Sequence, residues 1–396
     1  MQDLVCISHL RWDFVWQRPQ HLLSRMAQRQ RVFFIEEPVA SVEAKIPYLQ
    51  RQMWQGENDA EVVVVRLVQP VEQARWIGHG DPLTAATYQR LLREYMQEQH
   101  VRHPILWLYT PMAQHFINAL RPKLLVYDVM DQLSAFKGAP ADIVERDREV
   151  LERADVVFTG GISLYQDKRD YSYNIYPFPS GVEADHFAQA TDSQALARPE
   201  DIVHIQSPIV GYYGVIDERM DLKLIQQIAD ERPEWNLVLI GPVVKIDPQE
   251  LPQAANIHYV GMKTYEQLPA YLAHFDVALI PFAMNEATRY LSPTKTLEYL
   301  AAGKPVVSTP IHDVIELYGS VVNIGYTTAE FIQHIADALT QPVTAEQRQA
   351  ETLLLQEYAW DAIAERMQRL IQRKYHSIHP GAVAVQPPAR AAIQTP

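Results

Sequence analysis

The sequence predicts two parallel α/β units joined in one chain. Three observations carry this. Apolar runs of strand length alternate with helix-period segments, the alternation halts in a proline-rich stretch near residue 180, and it restarts at Ile209. Strands that alternate with helices imply βαβ crossovers, hence parallel sheets with helices over both faces. At 396 residues, 47% of them hydrophobic, the chain can bury more core than one domain usually holds.

In the first half the strands are Leu4–Ile7, Val32–Ile35, Val62–Val65, Ile105–Leu108, Leu124–Val126 and Val156–Thr159, with helices near Gln17–Gln28, Thr84–Gln99 and Ala141–Arg153. Residues 1–180 are expected to form a first α/β domain, leaving through Ile175-Tyr176-Pro177-Phe178-Pro179-Ser180-Gly181-Val182 into a linker over 181–208. The second domain, 209–357, takes its strands from Ile209–Tyr213, Leu237–Ile240, Ile257–Val260, Val277–Ile280 and Val306–Ser308. Capping boxes at Thr264/Gln267, Thr327/Glu330 and Thr344/Gln347 mark helix starts and carry no function. A last amphipathic helix occupies 358–375, and the Pro/Ala/Gln-rich end, 376–396, is expected to be disordered. No repeat of short period is present.

Lys+Arg 35 against Asp+Glu 48 gives a formal charge of −13, which argues against nucleic acid or an anionic membrane as a whole-surface partner. The single cysteine, Cys6, lies in an apolar run. Disulfides and cysteine metal sites are therefore excluded. There is no leader-like segment and no run of eighteen apolar residues, so the expected location is cytoplasmic.

The most informative stretch is Ser292–Val307, where a helix leads straight into a buried strand. Ser292 suits an N-cap and Pro293 the first helical position. Lys295 then falls in the first turn, where the macrodipole disfavours a cation unless a phosphate sits there too. Glu298, three residues on and on the same face, can accept two hydrogen bonds from a ribose diol. The alternative for Lys295 and Glu298 is a solvated i,i+3 ion pair.

Several motifs carry a family resemblance that runs to about residue 375. They are His9–His21 after the first strand, Tyr127-Asp128-Val129-Met130-Asp131, Pro179-Ser180-Gly181-Val182, Gly211-Tyr212-Tyr213-Gly214, Asn256–Phe282 and Ser292–Val307. In these the chain resembles a bacterial retaining glycosyltransferase of the GT-B fold, in a branch near teichuronic acid and capsule enzymes. The resemblance implies two Rossmann-like domains with a cleft between them and a C-terminal helix returning to the first. It also implies sugar transfer from a nucleoside-diphosphate sugar to a polysaccharide, glycolipid or other glycan acceptor, with retained configuration. Carried over by motif, Glu298 holds the ribose, while Lys295 and the amides of Thr294 and Lys295 hold the diphosphate. Ser292, Tyr290, Gly214 and Arg219 complete the donor set.

The chain also departs from that family. Tyr290 stands where relatives usually have a glutamate eight residues before the ribose glutamate, and Glu286 is out of register. Gly214 is followed by Val215 rather than arginine, with Arg219 and Lys223 as the available substitutes.

A loose, oxocarbenium-like transfer depends on neutralising the leaving diphosphate and positioning the acceptor hydroxyl. Lys295, Arg219 and Asp131 are the catalytic candidates. Asp131 follows a buried strand at its carboxyl end, where open α/β sheets place ligand groups, and otherwise serves as a helix N-cap. Asp128-x-x-Asp131 is the one carboxylate pair resembling a metal site, and neither metal nor cofactor is expected. Arg11, Trp12 and Arg18, in the first strand-to-helix connection, are the acceptor candidates together with Asp131, a tryptophan being a common sugar platform. Tyr109-Thr110-Pro111 is a weaker candidate, and His9 and His21 do not have metal-pair spacing. The partners are thus a nucleotide-sugar and a glycan or lipid-linked acceptor, with peripheral membrane association open. A GT-B sugar-nucleotide epimerase and a catalytically silent donor-binding subunit are the alternatives. A dehydrogenase is disfavoured, since neither half has a Gly-x-Gly-x-x-Gly turn after its first strand.

Overall fold

The computed structural model describes residues 2–73, 79–136, 138–192 and 196–379. It divides into two compact units, one of Met1–Gly160, Leu164–Phe178 and Ile363–Pro396, the other of Gly161–Ser163 and Pro179–Ala362.

The first unit contains β1 (Leu4–Ile7), α1 (Arg18–Ala27), β2 (Val32–Ile35), β3 (Val39–Ser41), β4 (Tyr48–Gln55), β5 (Glu61–Pro70), α2 (Pro82–Glu98), β6 (Ile105–Leu108), α3 (His115–Leu120), β7 (Leu124–Val129), α4 (Ile143–Arg153), β8 (Val156–Thr159), α5 (Ile162–Lys168) and β9 (Ile175–Pro177). Its sheet runs β3-β5-β2-β1-β6-β7-β8-β9, with β4 antiparallel on β5 and the other neighbours parallel. The central strands β1, β2, β6, β7 and β8 are buried at every position, so their sequences read as unbroken apolar runs. Each fully buried Val, Leu or Ile contributes about 1.5–3 kcal/mol of transfer free energy. The sheet changes direction at β1, with β2 on one side and β6 on the other. The β1 and β6 ends therefore frame the position where such sheets bind ligands.

The second unit contains α6 (Ala184–Ala188), β10 (Ile209–Tyr213), α7 (Leu222–Glu231), β11 (Asn236–Ile240), β12 (Ile257–Gly261), α8 (Leu268–Leu272), β13 (Val277–Ile280), α9 (Lys295–Ala301), β14 (Val306–Ser308), α10 (His312–Tyr318), β15 (Asn323–Ile324), α11 (Thr328–Thr340) and α12 (Ala345–Glu357). Its sheet is wholly parallel in the order β12-β11-β10-β13-β14-β15. The direction switches at β10, between β11 and β13. Capping boxes close at Thr264/Gln267 and Thr344/Gln347. At Thr327 only half a box forms, because the Glu330 carboxylate accepts from the amide of Tyr326 instead.

The last helix, α13 (Trp360–Ile378), joins the first unit from Ile363 onward. Ile363, Met367 and Ile371 are spaced at i, i+4 and i+8 and all are buried. Arg29 donates to Gln368 at 3.0 Å, and the Arg366 guanidinium lies over the Phe178 ring at 5.5 Å. The helix thus runs three residues into the tail expected to be disordered. Most of that tail, 380–396, lies outside the described residues.

Candidate functional site

The second unit gathers its polar groups at the carboxyl ends of β10 and β13. β10 ends at Tyr213 and the chain turns through Gly214 with φ +139°, a conformation that favours glycine. A Cβ on Gly214 would stand 2.8 Å from the Tyr212 hydroxyl and 3.1 Å from Lys295 Cε. The missing side chain therefore leaves room for Lys295. Beyond Gly214 the loop runs beside the loop after β13, with Ala283 donating to the Arg219 carbonyl at 2.8 Å and Asp221 to that of Pro281 at 2.9 Å.

Lys295 is the first residue of α9. Its ammonium lies 5.0 Å from the Phe282 ring centroid and 5.6 Å from that of Tyr212. Among the described ion pairs none includes Lys295, so it does not form the i,i+3 pair with Glu298 that was the alternative. Burial brings its pKa down to about 8, with Glu298 opposing the shift and Arg219 adding to it. Glu298 lies one turn on, half-buried. Its Oε2 accepts from the Tyr213 hydroxyl. Burial pushes the Glu298 carboxyl up, against the pull of Tyr213 and then Lys295.

The helix start differs from expectation. Ser292 is not its N-cap: α9 begins at Lys295, preceded by Thr294 in helical conformation without a side-chain cap bond. The reason is a tight turn in which Thr296 donates to the Pro293 carbonyl at 3.2 Å, leaving Ser292 ahead of the helix. Thr294 is exposed and Ser292 half-buried. Arg219 lies near this group, yet it is engaged by the buried carboxylate of Asp217, its Nε at 2.9 and 3.1 Å and its Nη2 at 2.8 Å. Tyr290 sits in the loop before α9 with the Arg289 guanidinium 5.3 Å from its ring. Glu286 is exposed, 4.0 Å from Arg289.

The first unit reassigns most of its candidates. Arg18 is buried in the core, where Nε and Nη2 grip Asp128 and Nη1 donates to the Phe178 carbonyl at 2.6 Å. Burial works against the Arg18 charge, and Asp128 more than offsets it. This pairing takes Asp128 out of the Asp128-x-x-Asp131 couple, and among the described residues no group of three or more His, Cys, Asp or Glu is arranged to hold a metal ion. Trp12 is no exposed platform. It is 5% exposed, packed edge-on against Phe34 and Trp54 at 5.0 and 5.3 Å, and its amide donates to Glu36. Arg11 is half-buried and donates to Glu36, to the Glu37 carbonyl and to the Pro38 carbonyl, while Arg66 donates to the same Oε2 of Glu36 at 2.5 Å. Arg11 therefore braces the loop around β2.

Asp131 stands two residues past β7, half-buried, beside a small cavity lined also by Tyr127, Gln132 and Asp147. It is not an N-cap: the short turn Leu133–Ala135 takes Gln132 in that position. Thr110 caps Pro111–Ala113, and the Tyr109 hydroxyl is buried and pushed well up by that burial. His9 and His21 are held down to about 4 and 3 by desolvation. A groove of about 630 Å³ lies at the other end of β7, beside Leu125, Arg121 and Arg153.

Sequence reasoning missed Tyr213 as a partner of Glu298, the Tyr212 and Phe282 rings beside Lys295, and Asp217 as the holder of Arg219. A signal was present for the first. Tyr213 is the last strand residue before Gly214, and a large polar-tipped side chain there has to place its hydroxyl near the ligand end of the sheet.

Residues 208–373 match the family of glycosyl transferases group 1. The chain has the GT-B fold. A stretch of 204 residues, 47% of this chain, is 28% identical to TuaH of Bacillus subtilis (strain 168), a candidate teichuronic acid biosynthesis glycosyltransferase. That match spans 50% of the relative's length. Among solved structures, a sucrose-phosphate synthase from Thermosynechococcus elongatus superposes with TM-score 0.67 at 15% identity, over 95% of this chain and 100% of that one. A trehalose-6-phosphate structure from E. coli bound with UDP-2-fluoro glucose gives 0.66 at 12% identity, over 94% and 99%. These likenesses at low identity establish the GT-B fold, with two Rossmann-like domains. No helix among the described residues is long and apolar enough to cross a membrane.

Proposed function

We propose that the protein is a glycosyltransferase, moving a sugar from a nucleoside-diphosphate sugar to a glycan or lipid-linked acceptor, with retention of configuration and without a metal ion. The observation that carries this reading is Lys295: a half-buried ammonium against two aromatic rings, outside every described ion pair and one turn from a carboxylate. A cation partly withdrawn from water in this way is poised for an anion. Lys295 would neutralise the diphosphate as the glycosidic bond lengthens, and Glu298 would accept hydrogen bonds from the ribose. In the first unit Asp131, at the carboxyl end of β7, would orient the acceptor hydroxyl. Arg219 would reach the diphosphate only while remaining on Asp217.

The engagement of Arg219 by Asp217, together with Tyr290 where relatives carry a glutamate, favours a second reading, a donor-binding protein without turnover. Calorimetry with UDP, GDP, dTDP and ADP tests the first. One nucleotide is expected to bind, and Lys295→Ala and Glu298→Ala are each expected to weaken it. Release of free sugar from the matching nucleotide-sugar, undiminished by EDTA, would decide for an enzyme against the silent reading. Binding that ignores both substitutions would overturn the proposal.

A further inference from the structure

Tyr213, the last residue of β10, is held by ring packing and by two hydrogen bonds. Its ring packs edge-on against Tyr299, with centroids 5.0 Å apart, and Phe187 lies parallel at 6.5 Å. Its amide donates to the Tyr299 hydroxyl at 3.0 Å, and its own hydroxyl donates to Glu298 Oε2. Tyr299 follows Glu298 directly on α9. The two tyrosines therefore tie β10 to α9 next to the carboxylate, and both rings are buried.

We propose that Tyr213 is a positioning residue for Glu298, fixing the carboxylate and keeping it ionised so that the donor's ribose meets a preformed acceptor. This inference rests on the reading of Glu298 as the ribose ligand. A carboxylate oxygen offers two acceptor sites, so Oε2 can serve Tyr213 and a ribose hydroxyl together while Oε1 serves the second hydroxyl. Other ionisable groups also face the carboxylate. Lys295 from α9 and His186 from α6 favour its charge, whereas Glu183 disfavours it. Tyr265 and Tyr299 complete the ring of groups around it. Against burial, the Tyr213 hydroxyl is the foremost stabiliser of the ionised form. Without it, Glu298 should take up a proton at higher pH and lose the ribose.

The test measures binding of UDP, GDP and ADP by the full chain between pH 5 and 8.5, for the native protein and for Tyr213→Phe, Glu298→Gln and Glu298→Ala. The Phe variant keeps the ring packing, and a matching melting profile establishes that it folds. The expected result is that Tyr213→Phe moves the acid limb of binding upward by about one pH unit, the worth of one charge-assisted hydrogen bond. Glu298→Gln should remove that limb. A purely structural role for Tyr213 would lower affinity equally at every pH. Superimposable or parallel profiles for Tyr213→Phe, with Glu298→Ala still weakening binding, overturn this inference alone. Unchanged binding in Glu298→Ala, or no binding by any of the three nucleotides, overturns the ribose reading and this inference with it.

Discussion

The guanidinium of Arg18 holds the carboxylate of Asp128 across 110 positions of sequence, through contacts of 2.8, 3.0 and 3.1 Å, with both side chains buried. Taking two charges out of water is costly, and removing one partner leaves the other unpaired in the core. Arg18→Ala should therefore destabilise the first unit by about 3–5 kcal/mol. The apolar double replacement Arg18→Met with Asp128→Leu should cost less than the single change. Denaturant unfolding of the native protein, the single variant and the double variant checks both expectations.

Lys295→Ala should weaken nucleotide binding roughly 10- to 100-fold, the loss of one or two charge-assisted contacts. The pH dependence has a definite sign. The protonated ammonium is the form that binds phosphate, and its pKa is depressed to about 8. Affinity should therefore hold below that value and fall as the pH rises through it, with bound phosphate moving the midpoint upward. Lys295→Arg should keep its charge and flatten this alkaline limb, which titration calorimetry at pH 7, 8 and 9 would reveal.

Gly214 and Gly241 should differ in tolerance. A Cβ at Gly214 meets the ends of side chains, the nearest at 2.8 Å, whereas a Cβ at Gly241 would stand 1.9 Å from the backbone oxygen of Gly214. Both have positive φ, so alanine costs on the order of 1–3 kcal/mol in strain at either position. Gly241→Ala should be the more destabilising in thermal melts, because backbone cannot move aside as a side chain can.

Trp12→Ala should cost about 3–5 kcal/mol as a large-to-small core substitution, seen as loss of stability in the first unit. If Trp12 served instead as a sugar platform, the variant would keep its melting temperature and lose acceptor affinity.

Much of the fold was legible because buried parallel strands write themselves as apolar runs. β1, β2, β6 and β8 have the bounds that periodicity assigned. The β4–β5 hairpin was not legible, since Tyr48–Gln55 carries polar residues on a largely exposed edge strand and resembles a loop in composition. At the site, Lys295 and Glu298 could be singled out from their spacing alone. Their surroundings could not, because the partners come from residues far away in sequence: Tyr213 lies 85 positions before Glu298. The depth of two acceptor candidates, Arg18 and Trp12, was hidden for a related reason. Arginine and tryptophan are as useful in a core as in a binding site, and only the depth of Arg18 and Trp12, set by Asp128 and Phe34, tells the two apart.

The attachment of α13 to the first unit has a consequence for how the protein is made. During synthesis the N-terminal 178 residues leave the ribosome long before Ile363, Met367 and Ile371 exist to cover them. The first unit to be translated is thus the last to be completed, and a nascent chain must carry an uncovered apolar surface through the whole translation of its partner unit. Any attempt to express the first 178 residues alone should meet the same exposed surface, and supplying the C-terminal helix in trans should restore their solubility.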